Sequence, residues 1–289
     1  MKLATFTHAG TTRIGVVDGD EMVDLLVVDP LLPGEMSAFL AAGAPALEVA
    51  RRGLELPAAR LPLDAVTLEA PVLRPPEFLA IGLNYKDHIE EANLGTPDFP
   101  MFFNKWSSCV VGTGAPIHFP RVSDKMDYEG ELGFVIGRPA RHIPRDRAHE
   151  YIAGYLVVDD VSVRDWQFKA QTMTLGKSFD THGPIGPWIV TPDEIGDPHG
   201  LQLRTWVNDE LRQDSNTKNL VYDCYDQLET LSTVCTLQPG TIVSTGTPGG
   251  VGFAMDPPKY LRPGDTVRIE IEGIGRLENS VIEEPTASE

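Results

Sequence analysis

Residues 127–137 read DYEGELGFVIG, and their aromatic and branched apolar residues are typical of a buried β-strand. The stretch also carries Glu129 and Glu131, and the two-residue side-chain period of a strand places both carboxylates on one face. Like charges repel, so the pattern predicts either a positive group that offsets them or a solvent-exposed sheet face. Gly130 and Gly133 beside the acids indicate a close backbone approach to a ligand or a β-bulge.

Aspartates at the end of a second apolar segment extend this acidic group. Residues 154–160 read GYLVVDD and end in Asp159 and Asp160. Carboxylate oxygens that converge from strand ends suit a hard divalent cation, so the sequence predicts a site for Mg²⁺ or Mn²⁺, with Ca²⁺ as the alternative. Neighbours along a strand point to opposite faces, so only one of the two aspartates is expected to join the glutamates.

A histidine and a carboxylate lie three positions apart in the segment GLNYKDHIEEAN, residues 82–93. In a helix this spacing brings His88 and Glu91 together on one face. A histidine that is oriented by a carboxylate can act as a general base toward water. The alternative interpretation is an ordinary surface pair, because the spacing is common.

Residues 162–188 supply groups that could bind a substrate. They contain Arg164, Gln167 and Lys177, whose N–H donors suit the carboxylate or carbonyl oxygens of a small molecule. Each of these side chains, taken alone, is also compatible with an ordinary surface position.

A glycine-rich loop follows near the end of the chain, where residues 244–252 read STGTPGGVG. Its main-chain N–H groups could form an anion-binding nest, and Thr245 or Thr247 could add a hydroxyl group. A plain tight turn is the alternative interpretation.

Composition limits the classes of protein that need to be considered. The chain has 289 residues, of which 42 are acidic and 24 basic, and its formal net charge of −18 argues against a nucleic-acid or anionic-membrane surface. The start MKLATFTHAG lacks an apolar signal core, and no run of about 18 apolar residues occurs, so we expect a cytoplasmic protein. Cys109, Cys224 and Cys235 lack the spacing of disulfide or zinc sites and are expected to be buried free thiols.

Prolines mark the expected domain boundary, since five of them favour an extended connection between residues 57 and 76. We predict a small N-terminal α+β domain over residues 1–71 and a catalytic domain over residues 72–289. The catalytic domain is expected to be sheet-rich α+β, because apolar strand-like segments alternate with Gly and Pro turns. Helices are expected to be the minority, near residues 85–93, 145–151 and 223–234.

Taken together and in this order, the segments GLNYKDHIEEAN, DYEGELGFVIG, GYLVVDDVSVRDWQ, GKSFDTHGPIGPW and STGTPGGVG resemble the fumarylacetoacetate hydrolase family across residues 78–283. The likeness implies a mixed β-roll core of the fumarylacetoacetate hydrolase type and a homodimer. The smaller bacterial-type members, which act on acylpyruvates or on 2,4-dioxo acids, are the closer likeness.

The resemblance also implies roles for individual residues. It assigns His88 and Glu91 to a water-activating dyad on a mobile lid, which we predict over residues 84–106, and Lys177 to a catalytic, substrate-orienting position. The remaining assignments are Glu129, Glu131 and Asp160 as metal ligands, with Asp159 as the fallback, and Gln167 and Thr247 as substrate contacts, to which Arg164 is added for its donors.

The predicted function is metal-dependent hydrolysis of a C–C bond in a 2,4-dioxo acid of the acylpyruvate type, which yields pyruvate and a carboxylic acid. A decarboxylase or enol–keto isomerase acting on a 2-oxo diacid such as oxaloacetate is the alternative, because it uses the same chelate and the same enolate. An alternative of another class is a non-catalytic metal- or carboxylate-binding protein. The expected partner is a small 2-oxo acid and not a nucleic acid or a membrane.

Overall fold

The structure is a computed structural model that describes residues 1–91 and 95–286. The predicted lid therefore includes three positions, 92–94, that lie outside the described residues. The strands are, in chain order, β1 (Lys2–His8), β2 (Thr11–Asp18), β3 (Glu21–Asp24), β4 (Arg60–Pro62), β5 (Thr67–Leu68), β6 (Phe78–Gly82), β7 (Met101–Lys105), β8 (Val110–Val111), β9 (Ile117–Phe119), β10 (Met126–Asp127), β11 (Gly130–Ile136), β12 (Ile152–Asp159), β13 (Ser162–Val163), β14 (Gly183–Val190), β15 (Gln202–Val207), β16 (Glu210–Asn216), β17 (Ile242–Ser244), β18 (Thr266–Ile271) and β19 (Gly275–Glu283).

The helices are short, and those predicted from the sequence are present as α4, a 3₁₀ helix at Arg145–Tyr151 and α8. The α-helices are α1 (Leu25–Val28), α2 (Met36–Ala41), α3 (Ala44–Gly53), α4 (Lys86–Glu91), α5 (Arg164–Gln167), α6 (Thr174–Lys177), α7 (Pro192–Ile195) and α8 (Cys224–Val234). Further 3₁₀ helices are Pro57–Ala59, Leu63–Ala65, Ser107–Cys109, Pro198–Gly200, Thr217–Asn219 and Gly252–Ala254.

Two sheets form the core of the fold. The main path of the larger sheet runs β4-β3-β2-β1-β14-β12-β11-β17-β6-β7, with β5 beside β1 and β8 beside β14, and the second sheet runs β16-β15-β18-β19-β9. Leu132 and Phe134 of β11 belong to one apolar cluster with Ile269 and Leu277 of the second sheet. The sheet-rich α+β class predicted from the sequence is confirmed.

The N-terminal residues belong to the larger sheet. Strand β1 pairs antiparallel with β14, with Lys2 opposite Val190 and Leu3 opposite Ile189. Phe39 of α2 lies in an apolar cluster that also contains buried side chains of β11, β12 and β14. The division of the chain at residues 71 and 72 stays a prediction, and any such division would cross a shared sheet and a shared core.

Strand β11 is buried along its whole length, because β12 and β17 flank it and apolar clusters cover both of its faces. A Cβ atom at Gly133 would lie 2.7 Å from side-chain atoms of Leu156 and Val158, and one at Gly130 would collide with the hydroxyl of Thr205 on the second sheet. Close packing of neighbouring strands and sheets therefore requires these glycines.

The cysteines are free thiols, but the prediction that they are all buried is wrong for Cys235, which is exposed. Cys109 and Cys224 are fully buried, and burial raises the pKa of the Cys109 thiol to about 11. Within residues 1–91 and 95–286, no helix has both the length and the apolar character needed to cross a membrane.

Candidate active site

The pairing of β11 with β12 brings the predicted acids together, since Gly130 lies opposite Asp159 in the ladder. One carboxylate oxygen from each of Glu129, Glu131 and Asp160 lies within 4.8 Å of the other two, and all three side chains are buried. The exposed-face alternative for the two glutamates is therefore wrong. The register of two neighbouring strands creates this triad.

Asp159, the fallback ligand, does not join the triad. Its Oδ1 accepts a hydrogen bond from the main-chain N–H of Glu129 at 3.0 Å, and its Oδ2 has no hydrogen-bond partner among the described residues. Burial raises the pKa of this carboxyl to about 7. Asp159 thus supports the backbone that carries Glu129.

Three buried cations offset two of the triad carboxylates. Lys177 Nζ donates to Glu129 Oε2 at 2.6 Å and to Asp160 Oδ2 at 2.8 Å. Arg164 donates to Glu129 Oε1 at 2.5 Å, and Lys105 donates to Asp160 Oδ1 at 2.7 Å. Burial opposes the charge of Lys177, but Asp160 and Glu129 overcome this effect and raise its pKa, so Lys177 remains an ammonium donor.

Glu131 has no basic partner within residues 1–91 and 95–286. Its Oε2 accepts hydrogen bonds from the Ser244 hydroxyl at 2.5 Å and from the Gly246 N–H at 2.7 Å. Burial, followed by the charges of Asp160 and Glu129, raises its pKa well above the usual carboxyl range. Of the three acids, Glu131 therefore gains most from an added positive charge.

The charge balance of the site fits a divalent cation. With every group ionised, the buried carboxylates around the triad would carry five negative charges and the buried basic groups three positive ones, an excess of two that a divalent cation would offset. An all-oxygen donor set with this excess suits Mg²⁺ or Mn²⁺. The groups counted are Asp127, Glu129, Glu131, Asp159 and Asp160 against Lys105, Arg164 and Lys177.

A cavity of about 480 Å³ adjoins the triad and collects most of the predicted site residues. Asp160 is fully buried and does not line it. A larger cleft of about 720 Å³ around Trp188 and Arg276 contains none of the predicted residues, so we assign the site to the smaller cavity. The predicted residues that line this smaller cavity are His88, Glu91, Glu129, Glu131, Arg164, Gln167, Lys177 and Thr247.

The His88–Glu91 pair forms at the end of α4. His88 Nδ1 lies 3.4 Å from Glu91 Oε2, and both carboxylate oxygens of Glu91 accept from the Gly250 N–H, at 3.0 and 3.1 Å. Glu91 therefore links α4 to the glycine-rich loop. Because the pair also lines the cavity, it is more than a surface pair, although its catalytic role stays a prediction.

The main-chain N–H groups of the glycine-rich loop bind carboxylates of the protein itself. Its N–H groups donate to Glu131 from Gly246, to Glu91 from Gly250, and to Asp127 from Gly252. The loop thus holds two carboxylates that line the cavity, those of Glu91 and Glu131, and the buried Asp127, which differs from the predicted nest for a bound anion.

The two candidate threonines of this loop differ in position. Thr245 is fully buried and donates to the carbonyl of Leu132 at 2.8 Å, whereas Thr247 lines the cavity. The hydroxyl of Thr247 lies 3.1 Å from the carbonyl oxygen of Gly130 and accepts from Gln213 Nε2 at 2.8 Å.

Sequence reasoning missed three residues of the site, namely Lys105, Asp127 and Gln213. Asp127 accepts from the N–H groups of Gly252 and Phe253, at 2.9 Å each, and forms an ion pair with Arg164. It lies two positions before Glu129, so the same strand period could have found it. Lys105 and Gln213 come from distant segments and carry no local signal.

A family profile described as fumarylacetoacetate (FAA) hydrolase, C-terminal, matches residues 77–282. The match covers more than half of the chain, and the protein therefore belongs to the fumarylacetoacetate hydrolase family. The resemblance seen in the sequence is confirmed.

Relatives with established names are similar over nearly the whole chain. The mitochondrial oxaloacetate tautomerase of Xenopus laevis is 41% identical over 288 residues, which covers 98% of this chain and 90% of that protein. The structure of maleylpyruvate hydrolase from Sphingobium sp. SYK-6 in complex with manganese (II) ion and pyruvate has 32% identity and a TM-score of 0.83, covering 99% of this chain and 100% of that one. The 5-carboxymethyl-2-hydroxymuconate delta-isomerase from Mycobacterium smegmatis has 33% identity and a TM-score of 0.81, covering 98% and 100%.

These names include a tautomerase, a hydrolase and an isomerase, so the comparisons show an enzyme family without choosing the reaction. A divalent metal agrees with the acid triad and with the manganese in the Sphingobium protein, and the choice of ion stays open. The Xenopus relative is named as mitochondrial. The cytoplasmic location and the homodimer stay predictions.

Proposed function

We propose that the protein is a divalent-metal-dependent tautomerase that interconverts the enol and keto forms of a 2-oxo diacid such as oxaloacetate. The observation that carries this proposal is the presence of the His88–Glu91 pair and the acid triad beside one cavity, since a proton-transfer group then adjoins the site of 2-oxo acid binding. The relation to the Xenopus laevis oxaloacetate tautomerase over 98% of the chain supports it.

Glu129, Glu131 and Asp160 are the residues that would hold the cation. A cation bound there would stabilise the negative charge that develops on the 2-oxo oxygen of the substrate during proton transfer. The surrounding donors would bind and orient the substrate: the hydroxyl of Thr247 donates to its carboxylate, and the Lys177 ammonium adds positive charge to the cavity wall.

His88 would carry the proton. In the enol-to-keto direction, His88 gives a proton to C3, and the electrons of the C2–C3 double bond form the new C3–H bond. The enol hydroxyl passes its proton to water as the C2 carbonyl forms, and a proton from the solvent restores His88 for the next turnover. Glu91 lies against Nδ1 of the ring, which leaves Nε2 of His88 as the nitrogen available to the substrate.

Cleavage of an acylpyruvate is the second candidate, and the apolar wall of the cavity favours it. A four-carbon diacid leaves this wall largely unused, whereas an acyl tail would bury it. In this reaction His88 takes a proton from water, hydroxide attacks C4, and the C3–C4 bond breaks to release pyruvate enolate, while Lys177 and Gln167 stabilise the oxyanion. The apolar side chains of the wall are Ile81, Leu83, Met101, Phe103, Phe168, Met173, Val251 and Phe253.

Two substrates separate these candidates. We expect metal-loaded protein to accelerate the loss of the enol absorbance of oxaloacetate and to leave acetylpyruvate intact, and we expect EDTA to abolish the effect. Release of pyruvate and acetate from acetylpyruvate would assign the hydrolase instead, and release of CO₂ from oxaloacetate would assign the decarboxylase. Turnover of neither substrate would favour the binding-protein alternative.

A further inference from the structure

We propose that Gln213 is a positioning residue that forces the hydroxyl of Thr247 to act as a hydrogen-bond donor toward the carboxylate of the substrate. The inference rests on the proposed function in one respect, namely that a 2-oxo acid occupies the cavity beside Thr247. Gln213 lies on β16 of the second sheet, is fully buried and does not line the cavity.

The amide of Gln213 has a hydrogen-bond partner for each of its functional atoms. Its Oε1 accepts from the main-chain N–H of Gly130 at 3.0 Å. Its Nε2 donates to Thr247 Oγ1 at 2.8 Å and to the carbonyl oxygen of Pro248 at 3.0 Å. The acceptor and both N–H donors of the side chain are therefore engaged.

These partners fix the direction of the amide. The N–H of Gly130 can only donate, so it must face the oxygen of Gln213, and the carbonyl of Pro248 can only accept, so it must face the nitrogen. Both main-chain groups select the same orientation. In the reversed amide the NH₂ group of Gln213 would face the N–H of Gly130, and its oxygen would face the carbonyl oxygen of Pro248. Thr247 Oγ1 consequently accepts a hydrogen bond from Gln213 Nε2.

The hydroxyl of Thr247 is then left to act as a hydrogen-bond donor. Because its oxygen already accepts from Gln213, its own proton must be donated elsewhere, either to the carbonyl of Gly130 at 3.1 Å or to an acceptor in the cavity. A substrate carboxylate is a stronger acceptor than a neutral carbonyl. Gln213 thus polarises Thr247 toward an anion without touching that anion.

An amide-to-acid exchange tests this role with little change of shape. In Gln213→Glu the acceptor for the Gly130 N–H remains. An ionised carboxylate, however, would accept a hydrogen bond from the Thr247 hydroxyl, which could then no longer donate to a ligand in the cavity. We expect the affinity for oxalate, measured by calorimetry with Mg²⁺ present, to fall about tenfold, the size of one hydrogen bond to a charged group. The affinity for Mg²⁺ alone should change by less than about threefold, which a general loss of structure would not allow.

A double-mutant cycle removes the effect of the added charge. Thr247→Val should weaken oxalate binding to a similar extent, and Gln213→Glu should add little in the Thr247→Val background, because both changes remove the same donated proton. Additive losses would show that the charge acts directly on the anion and would overturn the inference.

The matched control is Asn279→Asp, since Asn279 is a buried amide that donates to the carbonyl oxygens of Gly112 and Ala115, and it does not line the cavity. Oxalate affinity should be unchanged in this variant. Wild-type oxalate affinity in Gln213→Glu, or no oxalate binding by the parent protein, would also overturn the inference. A parent protein that binds oxalate but turns over no substrate would instead refute the proposed function and leave the role of Gln213 standing.

Discussion

The carboxylates of the candidate metal site differ in how their charge is offset. Glu129 and Asp160 each contact two cationic side chains, whereas Glu131 is held by a hydroxyl and a main-chain N–H. Asp159 behind them has a carboxylate oxygen without a hydrogen-bond partner among the described residues. Single substitutions at these positions should therefore have different effects, some on ion binding and others on stability.

Asp159→Asn should stabilise the metal-free protein above about pH 7 and leave ion binding intact. The folded-state pKa of Asp159 is raised to about 7 from the usual value near 4. The unfolded chain therefore releases this proton more readily than the folded protein, and the wild type loses stability as the pH rises from about 4 to about 7. The difference should reach roughly 1–3 kcal/mol at about pH 8 and vanish near pH 4. Urea denaturation with EDTA across this range measures it.

The comparison variant is Asp160→Asn, which should lose Mg²⁺ binding in calorimetry. Loss of Mg²⁺ binding in Asp159→Asn would instead make Asp159 a ligand. If the free energy of unfolding changed with pH equally in Asp159→Asn and in the wild type, Asp159 would not titrate as described.

His88→Ala should separate binding from turnover. The substitution removes the proposed proton carrier and leaves the carboxylates in place, so oxalate affinity should persist while turnover falls by about 10²-fold or more. Glu131→Ala should lose ion binding, oxalate binding and turnover together. Wild-type turnover of each active substrate by His88→Ala would remove the dyad from the mechanism.

Strand β7 is linked to the acid triad through its last residue, Lys105. Lys105 Nζ donates to Asp160 and to the main-chain carbonyl oxygens of Lys177 and His182. The strand lies at one end of the main sheet path, next to β6, and contributes Met101 and Phe103 to the cavity. One buried ammonium group thus connects an edge strand, a triad carboxylate and the chain around Lys177.

Lys105→Met should destabilise the protein by about 3–5 kcal/mol, because it leaves the buried charge of Asp160 with one cationic partner fewer. The exposed Lys218→Met is the control and should change stability by less than about 0.5 kcal/mol. Free energies of unfolding from urea titration provide the comparison. A loss below about 1 kcal/mol in Lys105→Met would mean that Lys177 alone satisfies Asp160.

The sequence predicts those parts of the site that follow a local period. Glu129 and Glu131 share a face because they are two residues apart on one extended segment, and His88 meets Glu91 within one helical turn. Lys105 reaches Asp160 across 55 positions, and Gln213 reaches Gly130 across 83. Such contacts arise from the order of strands in the sheets, which no local pattern contains.

The N-terminal segment and the remainder of the chain share hydrogen bonds as well as an apolar core. The amino group of Met1 donates to Thr191 at 2.5 Å, and β1 covers the edge of β14. Strands β12 and β11, at whose ends the triad lies, are two and three places along the same sheet path from β1. The sequence could not show this, because it predicts strands more reliably than their partners.

Deletion of residues 1–71 should therefore prevent stable folding of the remainder, since it exposes the edge of β14 and one face of the buried core. We expect insoluble or molten protein by circular dichroism and hydrogen exchange, and a single cooperative unfolding transition for the full chain. A soluble, cooperatively folded fragment that binds Mg²⁺ would show that the N-terminal residues form an independent domain.

The glycines of β11 bear on how mutational scans of this protein should be interpreted. Gly130 and Gly133 lie on either side of Glu131 in the strand, and a Cβ atom at either position would come within 2.7 Å of a neighbouring side chain. Their replacement is expected to lower activity, as replacement of a proposed metal ligand would, but for a steric reason. A scan scored by activity alone would therefore count these glycines as residues of the active site. Measuring the abundance of each variant in parallel would separate loss of folded protein from loss of chemistry.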